Sequence, residues 1–572
     1  MASIIKKTIK GNAYYYLVET KRVDGKPKRV SQVYLGSAET ILKRLESQKI
    51  GPALYSEIEA FGDVCLIYDL AERLSLVEML DNCLPKRNQG LSLGTYTLIA
   101  VINRAVSPTS KVNISKWYSK TILQKLMGIP KSQLSCQRFW DNMNTIEDEH
   151  IMLFEETFLE TVLSEYSVDT SRLIYDATNF FTFLSSENES ELAKRGHSKE
   201  NRTNLKIVGL SMMITPDLNM PLLYDVYPGN TGDSVEFKKM IIKMKERYTK
   251  ITGNLADITI SFDRGNNAED NLNLLEGDKD DNKNFPFYYV GGLKLNQISD
   301  LLDIPKTQYS RLDIERGETK IKVYRTQQNI FDRYLTVLVT FDPHLFRKHR
   351  HTFQENIEKT ESELKSLQSQ LATRAAKEKL KGKPMTEDSV QNRLNAILER
   401  KHMKKVFDTE IVIGADPKKP LIKFSINKKE SAALEGMLFG KRAFFTNRHE
   451  WTNEEIVSAY DSSWHVESAF RQLKDTDYLS VRPLYHWTDQ KIKVHIFFCI
   501  LAYRLCCLLR QELKSLGINI TINKMIESLS MIKKVITVFG TSDSDIIISL
   551  SKGDDIAECI LEKLQLRRKY LS

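Results

Sequence analysis

Between Arg172 and Leu293 the chain sets out its apolar and amphipathic stretches in an order that few folds accommodate. The runs from Arg172 to Phe183, Leu205 to Ile214 and Met220 to Tyr227 predict three strands. The last two form a hairpin around Pro216-Asp217, closed by Pro228-Gly229-Asn230. Asp233 starts a predicted helix reaching about Arg247. Asp257 to Phe262 predicts a fourth strand, ended by Asp263-Arg264-Gly265. A helix through Asn271 to Leu275 and a strand from Phe287 to Leu293 complete the series: strand, strand, strand, helix, strand, helix, strand. Such an order calls for an α/β fold in which helices cover a sheet.

Two of these strands carry an acid. Asp176 sits inside the first, where a charge among apolar residues is costly unless it is paired or bound to a metal. Asp263 sits at the tip of the fourth. Adjacent strands of one sheet bring such acids close together, and a ribonuclease-H-like layer order fits the pattern. A third acid lies far downstream in Y-D-S-S-W-H-V-E-S-A-F-R-Q-L-K, Tyr460 to Lys474. Tyr460, Glu467 and Lys474 recur every seven residues, which predicts one helix with all three on one side. Val466, Phe470 and Leu473 are spaced to bury an adjoining side. An ordinary amphipathic helix satisfies the same spacing, and it is the two upstream aspartates that favour a site.

Three converging carboxylates can hold two divalent cations. Mg²⁺ prefers oxygen ligands and retains waters, so few protein ligands suffice, and Mn²⁺ can substitute. Two such ions activate a water or a 3′-hydroxyl and stabilise the leaving oxygen of an in-line phosphoryl displacement. Asp176, Asp263 and Glu467 are the predicted ligands and catalytic residues. No Walker loop, serine nucleophile elbow or zinc spacing competes with them.

The remaining sequence sets the context. A chain of 572 residues exceeds one core and predicts several domains. A net charge of +9 favours a polyanionic partner only weakly over that length. Seven cysteines, an odd number without a C-x-x-C pair, argue against a disulfide framework or a structural zinc site and for a reducing cytosol. Residues 1–10 have no signal-peptide core, and the apolar run from Ile496 to Leu509, interrupted by Arg504, reads as a buried helix rather than a membrane span.

Residues 1–50 read as a basic β unit built on a strand from Asn12 to Thr20 and another from Arg29 to Leu35. Lys21, Arg22, Lys28 and Arg29 are its expected phosphate contacts. Residues 51–167 read as a helical domain, in which Thr95 to Lys120 forms a helix pair broken at Ser107-Pro108-Thr109. Residues 168–297 and 443–515 are the two parts of the catalytic core, and 298–442 is a β-rich and helical insertion. Within it, His349 to Lys405 predicts a helical hairpin with Arg374, Lys377, Lys379, Lys381 and Lys383 near its bend. Residues 516–572 read as mainly helical.

The chain resembles the DDE transposases of bacterial insertion sequences, in the IS-four superfamily, and most closely its IS-sixteen-thirty-four group. The matching stretches are Y-D-A-T-N-F around Asp176, R-G-H-S-K from Arg195 to Lys199, Y-P-G-N from Tyr227 to Asn230, F-D-R-G around Asp263, and W-H-V-E-S-A-F-R-Q-L-K followed by V-R-P-L-Y-H. They span roughly residues 170–500. The resemblance implies a ribonuclease-H-like core split by an insertion, and two-metal cleavage and strand transfer at element ends. It implies a homodimer acting on double-stranded DNA, both terminal inverted repeats and target, with no membrane. The setting it implies is a bacterial or archaeal cytoplasm, in association with the nucleoid. Tyr460, Glu467 and Lys474 match the superfamily signature on the last helix, and Lys474 would grip the DNA backbone. Ser463 stands where the signature has Arg, and Arg471 is the expected substitute. Two other functions remain open: a transposase-derived DNA-binding protein without catalysis, and a ribonuclease-H-like nuclease without strand transfer.

Overall fold

The computed structural model describes the chain except for residues 1, 10–11, 24–25, 49–52, 88, 186, 200–203, 253–256, 278–286, 317–318, 377–385, 415, 417, 540–545 and 572. Two compact units emerge. The first comprises residues 1–261, 270–287 and 462–572, and the second residues 262–269 and 288–461. Both mix helices and sheet, so the chain is α/β.

In the first unit the strands Arg172–Phe181, Ile207–Ile214 and Pro221–Pro228 form an antiparallel run, with Thr259–Phe262 on the other side of Arg172–Phe181. Register pairs Asp176 with Met212 and Ala177 with Ser211. All eight residues of Ile207–Ile214 are buried, as a continuously apolar strand covered on both faces requires. The Asp233–Thr252 helix packs on Pro221–Pro228. From it Glu236, wholly buried, accepts a hydrogen bond from Ser211 Oγ at 2.8 Å.

Burial, with Asp225 nearby, pushes the Glu236 carboxyl up to about 8. A carboxyl raised in the folded state stabilises fully below its unfolded value near 4.5 and loses that contribution as pH rises through about 8. Glu236→Gln is therefore expected to flatten the fall in thermal stability between pH 6 and pH 8, as calorimetry at the two pH values would show.

The long helix Asp489–Ser515 runs through the first unit against Leu93–Val106 and Asp148–Tyr166. It is long and apolar enough to cross a membrane, yet 94% of its most apolar window is buried within the protein. Arg504, the one charged residue of its apolar run from Ile496 to Leu509, is neutralised inside the core. Arg504 donates to Glu155 Oε1 at 2.7 Å and to the carbonyls of Pro221 at 2.7 Å and Leu222 at 3.0 Å. The seven cysteines are free thiols.

Three findings extend or correct the sequence reading. The N-terminal basic unit has a third strand, Ala2–Ile9, antiparallel to Asn12–Val23, which in turn pairs with Lys26–Ser37. Its Ile4-Ile5-Lys6-Lys7 sequence lacks the period-two alternation of a half-buried strand, so only the pairing with Asn12–Val23 reveals it. The region 516–572 is not only helical. Lys533–Val538 and Ile546–Leu550 form a sheet with Tyr55–Ala60, a pairing across almost the whole chain that local periodicity cannot announce. The predicted single helix holding Tyr460, Glu467 and Lys474 is two helices, Asn453–Asp461 and Trp464–Lys474. They part at Ser462-Ser463, where His465 N–H bonds to Ser462 O three residues back, tightening the turn. The second unit ends at Asp461 and the first resumes at Ser462.

In the second unit, Ser310–Arg316, Thr319–Ile330, Arg333–Phe341, Lys441–Thr446 and Tyr288–Leu293 follow one another as an antiparallel sheet. The Pro343–Ala375 helix starts with Asp342 accepting the N–H groups of His344 and Leu345, with Pro343 in its first turn. Its Phe353, Leu364, Leu367 and Leu371 pack with Val390 and Leu394 of Glu387–Ile397 and with the hairpin Phe407–Val412 and Leu421–Ile426. The expected hairpin bend at residues 377–385 lies outside the described residues.

Candidate active site

Asp176 is half-buried in the Arg172–Phe181 strand, its Oδ1 accepting the Ala177 N–H at 2.7 Å. Thr178 and Phe180 follow it on the same face of the strand. The Trp464–Lys474 helix packs on that strand by burying Val466, Ala469, Phe470 and Leu473. This places the Lys474 ammonium on the Asp176 face, where it donates to Thr178 Oγ1 at 2.9 Å and lies 5.5 Å from the Phe180 ring centroid. Glu467 is exposed in the first turn of the same helix, where the dipole favours a carboxylate. Arg471 is exposed one turn beyond, and Ser463 caps the helix without a side-chain hydrogen bond.

The R-G-H-S-K stretch is fastened to this strand. Asn179 Nδ2 donates to His197 O at 3.0 Å, and Lys199 Nζ donates to the carbonyl of Ala177, beside Asp176, while pairing with Asp233 at 3.7 Å. An added Cβ on Gly196 would meet the Gly229 carbonyl oxygen at 2.1 Å, and one on Gly229 would meet the Ile207 carbonyl oxygen at 2.0 Å, which accounts for the glycine in each motif. The V-R-P-L-Y-H stretch reaches the strand's far end. Leu484 bridges to Thr182, and the Arg482 guanidinium lies 4.2 Å from the Phe181 ring centroid. The motifs alone assign Lys199 no place beside Asp176; only the folded strand supplies it.

Asp263 belongs to the second unit and is exposed at the end of its strand. Its Oδ1 accepts the Tyr460 hydroxyl at 2.9 Å and the Arg264 N–H at 2.8 Å. Burial and the facing Asp263 carboxylate push the Tyr460 phenol well up, so at neutral pH it is a hydrogen-bond donor. The Tyr460 ring lies 4.6 Å from that of Phe444 and passes over Gly292, where an added Cβ would stand 2.5 Å from its hydroxyl. Gly292 thus lets Tyr460 reach Asp263.

Beside this pair opens a cavity of about 720 Å³ whose lining includes Arg264, Lys294, Lys348, Lys401 and Arg442. Arg442 is held by Asp461 at 2.6 Å. Lys294, Lys348 and Lys401 come from separate elements, so no local charge run identifies the set.

The basic N-terminal sheet exposes Lys21 and Arg29, the latter donating to Gln32 Oε1 at 2.9 Å. The side chains of Arg22 and Lys28 lie outside the described residues.

In kind, the three acids suit a hard divalent ion, since all are carboxylate oxygen donors. Among the described residues no three His, Cys, Asp or Glu side chains are grouped as a metal site, and Asp176 and Glu467 belong to one unit while Asp263 belongs to the other.

Residues 168–505, more than half of the chain, match the family described as transposase DDE domain, and the chain belongs to that family. A solved structure titled as a piggyBac transposase synaptic complex with hairpin DNA is similar at 10% identity over 91% of this chain and 87% of that one, with a TM-score of 0.36. No curated protein sequence matches the chain.

Proposed function

We propose that this chain cleaves the ends of an insertion sequence and joins them to target DNA, using Asp176, Asp263 and Glu467. Membership of the family supports a transposase whose chemistry is DNA cleavage and transfer. The observation that carries the residue assignment is the seating of the Trp464–Lys474 helix, which lays a lysine ammonium on the strand face bearing Asp176, inside the matched stretch. A phosphodiester passing over Asp176 would meet that ammonium as a counter-charge. The core is read as ribonuclease-H-like, with residues 298–442 as its insertion, in the IS-four superfamily and its IS-sixteen-thirty-four group.

Asp176, Asp263 and Glu467 would hold two Mg²⁺ ions, for which Mn²⁺ can substitute; when bound, the ions supply an activated nucleophile and stabilise the leaving oxygen. Tyr460 orients the Asp263 carboxylate by donating to it. The cationic cavity beside Asp263, the exposed Arg471, and the basic residues Lys21, Arg22, Lys28 and Arg29 of the N-terminal unit are assigned to the phosphate backbone, so end binding falls steeply with salt. The partner is double-stranded DNA, terminal repeat and target, and the active species is a homodimer in the cytoplasm.

Tyr460→Phe removes one hydrogen bond to a charged group, and single-turnover cleavage is expected to slow about 10- to 100-fold. Gly292→Ala, which displaces the same hydroxyl, should give a similar loss. Unchanged cleavage in both would separate Tyr460 from the reaction. The overall reading is tested by incubating the protein with terminal-repeat DNA and a target plasmid. Joined products are expected; cleavage without joining would point to a nuclease, and binding without cleavage to a DNA-binding protein.

A further inference from the structure

A second cavity, about 480 Å³ and within the first unit, lies among the end of the Leu93–Val106 helix, the start of Lys111–Tyr118, Trp140, the Pro483–Thr488 loop and the start of Asp489–Ser515. The size falls within the ~300–1,000 Å³ range of small-ligand sites. Its lining is of two kinds. Lys111, 4% exposed, has an Nζ with no hydrogen-bond partner among the described residues, and its nearest compensation is the face of the Phe498 ring, 5.5 Å away. Arg104, 2% exposed, donates to the carbonyls of Ser480 and Thr109 and leaves its Nε without a partner among the described residues.

The charged neighbours do not resolve this. His486 and His495 also line the cavity, and burial together with the two cations pushes both imidazoles far down, so they stand neutral. Burial pushes the Cys499 thiol up to about 11, so it is neutral too. A buried ammonium beside a buried guanidinium, in a cavity that Lys491 also lines and whose lining holds no Asp or Glu among the described residues, is electrostatically costly, and an anion entering the cavity would relieve that cost. Burial and Arg104 lower the Lys111 ammonium to about 7, as expected for a cation held without a carboxylate.

The rim is aromatic. Trp487 is 76% exposed and Tyr485 53% exposed, with Trp140 half-buried; Tyr485 lies 5.2 Å from Phe183, itself exposed. Isolated apolar surface is common, but two tryptophans and a tyrosine around one cationic floor form a surface suited to a planar ring.

We propose that this cavity binds a nucleotide, with its phosphate at Lys111 and Arg104 and its base against the aromatic rim. The nucleotide is either free in solution or an unpaired residue of a DNA strand. The second source rests on the DNA-processing function proposed above; the first does not.

The test is tryptophan fluorescence quenching by the full-length protein in EDTA, titrated separately with deoxynucleoside monophosphates, a short single-stranded oligonucleotide and a blunt duplex. Because no metal and no cleavage are involved, failure here is distinct from failure of the catalytic reading. Saturable binding of the mononucleotide or the single strand is expected, weakened at least tenfold by Lys111→Met and by Trp487→Ala. Mononucleotide binding identifies a free ligand, and binding of the single strand alone identifies an unpaired residue of DNA. Trp487→Ala is at an exposed position and leaves the fold intact, so it remains informative should Lys111→Met disturb packing. Equal affinity in wild type and Trp487→Ala, or binding of the duplex alone, would overturn the proposal.

Discussion

Glu155→Ala is expected to cost the first unit about 3–5 kcal/mol of stability, read as a lowered denaturation midpoint. Glu155 and Arg504 have side chains 1% and 0% exposed, and they lie 2.7 Å apart. The remaining Arg504 donors go to Pro221 and Leu222, so this pair also fixes the edge strand of the sheet bearing Asp176 to the central helix. Removing the carboxylate leaves a guanidinium in the core with only neutral partners, and most of the cost is that stranded charge. The control is the double change Glu155→Met with Arg504→Met. It removes both charges while keeping volume, and is expected to be close to neutral or stabilising. A small loss in the single variant would mean that water reaches Arg504 in solution.

The second large effect concerns the chemistry. Asp176→Ala and Asp263→Ala are each expected to lower terminal-DNA cleavage at least ~10³-fold, equivalent to about 4 kcal/mol of barrier, with end binding changed by no more than a few-fold. The surroundings explain why binding survives. Asp176 presents one carboxylate beside the Lys474 ammonium, and Asp263 lines a cavity rich in lysine and arginine, so each alanine leaves the phosphate-binding cations in place. Loss of binding in parallel with cleavage would instead assign these acids to folding or end recognition. Retained cleavage in either variant would remove that residue from the site.

The core strands were legible because each is a run of apolar residues bounded by turn signals. Arg172–Phe181, Ile207–Ile214, Pro221–Pro228, Thr259–Phe262 and Tyr288–Leu293 fall where the periodicity put them. The buried face of Trp464–Lys474 was legible for the same reason. The break at Ser462-Ser463 was not, because a seven-residue recurrence survives a tightened turn and says nothing about continuity. Nor was the sheet joining Tyr55–Ala60 to Lys533–Val538, whose partners are separated by nearly the whole chain.

At the candidate site, Asp176 stood out as a charge inside an apolar strand. The part played by Gly292 did not, since it depends on Tyr460 arriving from a distant helix. The cavity cations were hidden likewise. Lys294, Lys348 and Lys401 lie far apart in the sequence, and only the fold lines one cavity with all three.

The most direct measurement of the central claim is cleavage of the element's own terminal DNA with Mg²⁺, comparing wild type with Glu467→Gln. That change keeps the shape of an exposed side chain while removing its charge. The account predicts metal-dependent cutting at the element boundary by wild type and its loss in the variant, with DNA binding retained. Cutting by Glu467→Gln at the wild-type rate, or no cutting by wild type with either Mg²⁺ or Mn²⁺, would contradict it.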